Sequence, residues 1–119
     1  MIRNNWSRVA ILVGGLMLSF MAPAAIAYDW NVTTAHVTLL EASYMPNYIS
    51  FEIDQNAGTS CPSGSFLIWS PPSGDEQQQI ANVNAVYSTL LTALASGKTV
   101  QLFGNNAGCN VVFVHIVAG

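Results

Sequence analysis

Apolar positions along this 119-residue chain follow two periods, and one long stretch with the helical period sets the frame. Between Pro71 and Gly97, apolar residues fall at Ile80, Val83, Tyr87, Leu90, Leu91 and Leu94. That i, i+3, i+4, i+7 spacing predicts a one-faced amphipathic helix. Its start is marked by Pro71-Pro72 and by Ser73-Gly74-Asp75-Glu76, which has the S-x-x-E form of a capping box. Its stop is marked by Gly97, suited to a left-handed C′ position, with Lys98 beside the negative helix end.

The remaining periodicity is that of strands. Residues 28–34 read as a lead into a first strand over 35–41, with Ala35, Val37 and Leu39 on one side and His36, Thr38 and Leu40 on the other. After a turn at Met45-Pro46-Asn47, the run 48–54 alternates cleanly. Ile49, Phe51 and Ile53 point one way, and Ser50, Glu52 and Asp54 the other. A polar loop over 55–65 leads to the short apolar run 66–69. Beyond the helix, 99–103 and 110–117 are further strands around a Gly-Asn-rich turn at 104–108, and the β-branched last run predicts burial on both faces. The fold class is therefore mainly β with one helix (α+β), in the order β-β-β-α-β-β. That is the order of a five-stranded OB-like barrel plugged by its helix. An open α+β sheet built from a three-strand meander, a helix and a hairpin has the same order.

Composition changes the picture at the front of the chain. Arg3 and Arg8 precede an apolar run from Val9 to Phe20, and Ala25-Ile26-Ala27 is a small-x-small site ahead of Tyr28. Residues 1–27 thus read as a signal peptide and 28–119 as a single exported domain, secreted or periplasmic. The residue directly after the cut is Tyr28 and not cysteine, so a lipid anchor is not indicated, and no membrane association is expected after cleavage. The domain keeps Lys98 against Asp29, Glu41, Glu52, Asp54, Asp75 and Glu76, one cation minus six acids, or −5. A nucleic-acid ligand requires phosphate-neutralising Lys and Arg and is excluded on that balance.

Cys61 and Cys109 are the two cysteines, and in an exported chain an even count reads as a disulfide. Each stands near the start of a strand, the third and the fifth, which run parallel and adjacent in an OB barrel. A metal site would need both cysteines, His36 and His115 to converge without a C-x-x-C pair, so no metal and no cofactor are expected.

The run from Asn82 to Val100, followed by Gly108-Cys109, resembles a group of small exported bacterial proteins of unknown function. These in turn are similar in layout to the B subunits of ring-forming bacterial toxins, the subtilase cytotoxin B subunit especially. The resemblance covers most of residues 28–119 in element order. In residue detail it rests on the helix, the Ser96-Gly97-Lys98 turn and Cys109. It implies an OB-fold, a periplasmic or secreted location, a homo-oligomer and glycan binding. No sugar-contacting motif aligns, so no binding residue is carried over.

Candidate chemistry is sparse. His36 and His115 are the available acid–base groups, but a surface and a half-buried histidine explain both, and no G-x-S-x-G elbow accompanies the serines. No enzyme activity is expected. Glu52 and Asp54, two apart on a strand, present carboxylates to one side, where they could accept hydrogen bonds from a sugar; a solvated strand face is the plainer account. Tyr44 and Tyr48 flank the turn beside that face. The candidate ligand set is accordingly Tyr44, Tyr48, Glu52 and Asp54, for a glycan or another exported protein. The competing reading is a structural or accessory periplasmic protein with no small-molecule ligand.

Overall fold

The structure is a computed structural model that describes residues 14–15 and 27–118. The signal segment expected over 1–27 lies outside the described residues but for Gly14, Gly15 and Ala27. Among the described residues no helix is long and apolar enough to cross a membrane. One helix packs on one curled six-stranded sheet, so the class is α+β. The elements are β1 (Trp30–Ala35), β2 (Val37–Glu41), β3 (Ile49–Ile53), β4 (Leu67–Trp69), α1 (Glu76–Ser96), β5 (Val100–Asn105) and β6 (Asn110–Ile116). A 3-10 turn at Ala107–Cys109 precedes β6.

Six strands replace the expected five because residues 30–35 do not merely lead into a strand. Trp30, Val32 and Ala35 are buried, and β1 pairs antiparallel with β5. The chain breaks at His36, and β2 then pairs with β3 on the opposite edge. The hydrogen-bonded order is β1-β5-β6-β4-β3-β2, so the ladder is open and its two edges are consecutive in sequence. The pair β4–β6 is parallel and meets at a single register pair, Ile68 with Asn110.

Two register shifts overturn the simple alternation read from the sequence. Between Val37 and Leu39 the pairing with β3 slips, so Leu39 faces out (39% exposed) while Leu40 packs against the core opposite Phe51. The second lies between Phe103 and Gly104. There Val111 is buried while Phe113, His115 and Ile116 are exposed, so β6 is not covered on both faces as its β-branched run predicts. An inserted residue swings every later side chain to the other face, and no composition signal marks it.

The helix occupies its expected span, but its cap lies two residues later than Ser73. Asp75 is extended (φ −71°, ψ 165°), its carboxylate accepts from the Gln78 amide at 2.8 Å, and the Gln78 side chain accepts from the Asp75 amide. Asp-x-x-Gln therefore forms the capping box. Gly97 closes the helix in the left-handed region at φ 70°, as expected. Of the helical stripe, Val83 and Leu90 are fully buried, together with Ala93; Ile80, Leu91 and Leu94 are exposed. The core joins them to Ile49, Phe51, Leu67, Val100 and Leu102. Trp30 closes one end of it against Gly104. A Cβ on Gly104 would stand 2.2 Å from the indole and 2.3 Å from the Asn110 carbonyl oxygen, so only glycine fits.

Cys61 and Cys109 are disulfide-bonded, with Cα atoms 5.8 Å apart. Neither lies inside a strand. Cys61 sits in the loop before β4, bridged to Ala57, and Cys109 ends the 3-10 turn before β6. The bond thus ties together the approaches to the two parallel strands.

Candidate functional site

The outer face of β2, β3 and β4 carries a cleft of about 520 Å³ lined by Glu41, Tyr44, Tyr48, Ser50, Phe66 and Ile68. Register explains the row across its floor: Glu41 pairs with Ser50, and Ser50 with Ile68, on three neighbouring strands. Alternation by two then puts Tyr48 on the Ser50 face and Phe66 on the Ile68 face. Ser50 is the buried polar residue of the set, at 6% exposed. Tyr44 and Phe66 are about half exposed at the mouth.

The loop between β2 and β3 builds the wall. Met45 N–H donates to the Ala42 carbonyl, and the Asn47 and Tyr48 amides both donate to the Tyr44 carbonyl. That tight turn brings Tyr44 and Tyr48 together, their rings stacked at 4.9 Å with planes 13° apart. Glu41 ends β2, and its Oε1 accepts from the Ser43 amide at 2.8 Å. The Ser43 hydroxyl and amide together hold the Glu41 carboxyl below the usual glutamate range, so it is ionised at neutral pH.

The two tyrosines of the candidate set therefore meet, while the two acids do not join them. Glu52 lies on the same outer face but opposite Leu39, two register pairs from the Glu41–Ser50 pair of the cleft. Asp54 falls after β3 ends and is occupied by His36. Its Oδ1 accepts from the His36 amide at 2.8 Å, its Oδ2 lies 2.9 Å from the imidazole Nδ1, and its own amide donates to the His36 carbonyl. Glu41, Ser50 and Phe66 were not in the candidate set. Alternation through Tyr48 and Ser50 pointed to this face, but Glu41 joins it only through the register shift in β2.

The His36–Asp54 clasp pins the break between β1 and β2. Burial pushes the Asp54 carboxyl up, but the His36 hydrogen bonds and the imidazole charge outweigh that and hold it below its ordinary value. A lowered folded pKa contributes stability that is complete above the unfolded value of about 3.9 and is lost as pH falls through the folded one. Asp54→Asn should therefore flatten the acid limb of a melting-temperature profile between pH 5 and 2. Parallel profiles for the two proteins would remove this role from Asp54.

His115 stands elsewhere, on the outer face of β5 and β6 beside Phe103 and Phe113 (centroids 5.7 and 6.5 Å), with Tyr28 edge-on to Phe103. Comparison of the chain with protein-family models, with curated proteins and with solved structures gives no significant match.

Proposed function

We propose that this chain is an exported, non-catalytic binding domain with an OB-like barrel, and that the cleft beside Tyr44 and Tyr48 takes a glycan. The barrel reading is supported by the edges of the sheet. β1 and β2 are two halves of one bent stretch, so a sheet that begins and ends on them curls back on itself. A parallel β4–β6 pair and a helix between β4 and β5 belong to the same topology. Export is supported by the signal-like segment and the disulfide.

The observation that carries the ligand reading is the stacked tyrosine pair over a groove holding a carboxylate and a serine hydroxyl. A sugar offers apolar C–H faces to aromatic rings and hydroxyls to acceptors, which is what this groove presents. With Lys98 as the single lysine and no arginine after residue 8, an anionic sugar has no side-chain partner of opposite charge here.

A glycan array on the purified exported protein, run beside its oligomeric mass, tests this. Tyr44→Ala and Tyr48→Ala should each abolish binding with little change in melting temperature. A monomer that binds no glycan would overturn the reading. The second reading, an accessory protein without a small ligand, is favoured by the strip in which exposed Tyr28, Phe113 and His115 surround half-buried Phe103, a surface suited to a protein partner.

A further inference from the structure

We propose that the cleft selects a ligand bearing a positively charged nitrogen, an organic ammonium. The inference rests on the reading that this cleft is a binding site, and it adds the charge of the occupant.

Three aromatic side chains, Tyr44, Tyr48 and Phe66, border the groove, and Glu41 stands in its wall. Aromatic ring faces carry negative potential and attract a cation positioned over them. A carboxylate beside them adds a full charge and charge-assisted hydrogen bonds. The two requirements for holding an ammonium group are therefore met in one groove.

Among the described residues none supplies a cation to this place. Lys98, the lysine of the described residues, lies past the far end of α1 and lines a separate groove with Thr92, Ile116, Val117 and Ala118. Among the described residues no cation pairs with the Glu41 carboxylate. The Ser43 amide fills one position on a carboxylate that can accept about four hydrogen bonds, which leaves acceptor capacity for a ligand. At about 520 Å³ the groove exceeds what a bare ammonium fills, so the charged nitrogen would be one end of a larger molecule.

Two sources share this chemistry, an amino sugar and a choline-type headgroup, and matched probes separate both from uncharged ligands. The protein is titrated with choline and with its neutral isostere 3,3-dimethylbutan-1-ol. It is titrated in parallel with a glucosamine trimer and with the N-acetylated trimer, which keeps the rings and loses the charge. The expected result is that at least one cation binds about tenfold tighter than its neutral counterpart, the size of one charge-assisted hydrogen bond for the amine or one cation–π contact for choline, and weakens as salt rises. Glu41→Gln should cut that preference, whereas Tyr44→Ala should weaken every probe and the charged ones most.

Choline preference alone assigns the headgroup, and glucosamine preference alone the amino sugar. Equal binding of charged and neutral partners, or a preference undiminished in Glu41→Gln, overturns the proposal. If the N-acetylated trimer binds as tightly as the glucosamine trimer, choline gains nothing over its isostere and Tyr44→Ala abolishes the trimer binding, the glycan reading stands and this one falls. If none of the four probes binds, this proposal falls whatever the glycan array finds.

Discussion

Leu90→Ala should destabilise the protein by about 2–5 kcal/mol, while Leu91→Ala, one residue further along the same helix, should stay within about 0.5 kcal/mol. Leu90 is fully buried, in one core cluster with Phe51, Leu67, Val83 and Leu102, and removing its three terminal carbons leaves a cavity the close-packed surroundings fill only in part. Leu91 is 43% exposed and loses little contact on truncation. Urea denaturation of the two variants reads the contrast directly through the shift in midpoint at constant slope. Comparable losses at both positions would mean that α1 is seated on the sheet with a different rotation.

That contrast also marks how far the sequence could be read. Both leucines lie on the apolar stripe, and periodicity assigns a helix a stripe without saying which half of it is covered. The covered half is set by what lies beneath. α1 crosses β2 and β6, and Val83, Leu90 and Ala93 are the residues turned toward them. The helix ends were legible at Gly97 but not at Ser73. Both Ser73-x-x-Glu76 and Asp75-x-x-Gln78 fit the capping pattern, and the one that forms begins at Asp75, whose backbone is extended.

The faces of a strand were legible where alternation is uninterrupted, as in β3. In β2 and β6 the strands were legible but their faces were not, because one inserted residue reverses the faces at no cost in composition. The candidate site divides along the same line. Tyr44 and Tyr48 are four residues apart across a turn, so a local motif sufficed to bring them together. Glu41 and Phe66 reach the cleft by cross-strand register, which no local motif reports. Asp54 continues the alternation of β3 on paper, but the chain has left the strand there, and the His36 amide claims its carboxylate.

Removing the disulfide should have the other large effect. The Cys61–Cys109 bond spans 48 residues, and in the chain-entropy account closing a loop of that length constrains the unfolded chain by about 4 kcal/mol. In the folded protein the bond also has a local task. β4 has three residues and meets β6 at one register pair, so few backbone hydrogen bonds join the parallel strands. Cys61 is itself buried at 1% exposure and anchored through its bridge to Ala57, so the covalent link passes from a fixed loop to the turn that launches β6. The Cys61→Ala/Cys109→Ala double variant should therefore melt on the order of 20 °C lower, since each kcal/mol moves a domain of this size by about 4–8 °C. Dithiothreitol should lower the wild-type melting temperature toward that of the variant and leave the variant itself unmoved. Thiol labelling of unreduced, denatured protein should find no free cysteine. Two labelled cysteines, or a double variant as stable as the wild type, would show that the parallel pair holds without its covalent tie.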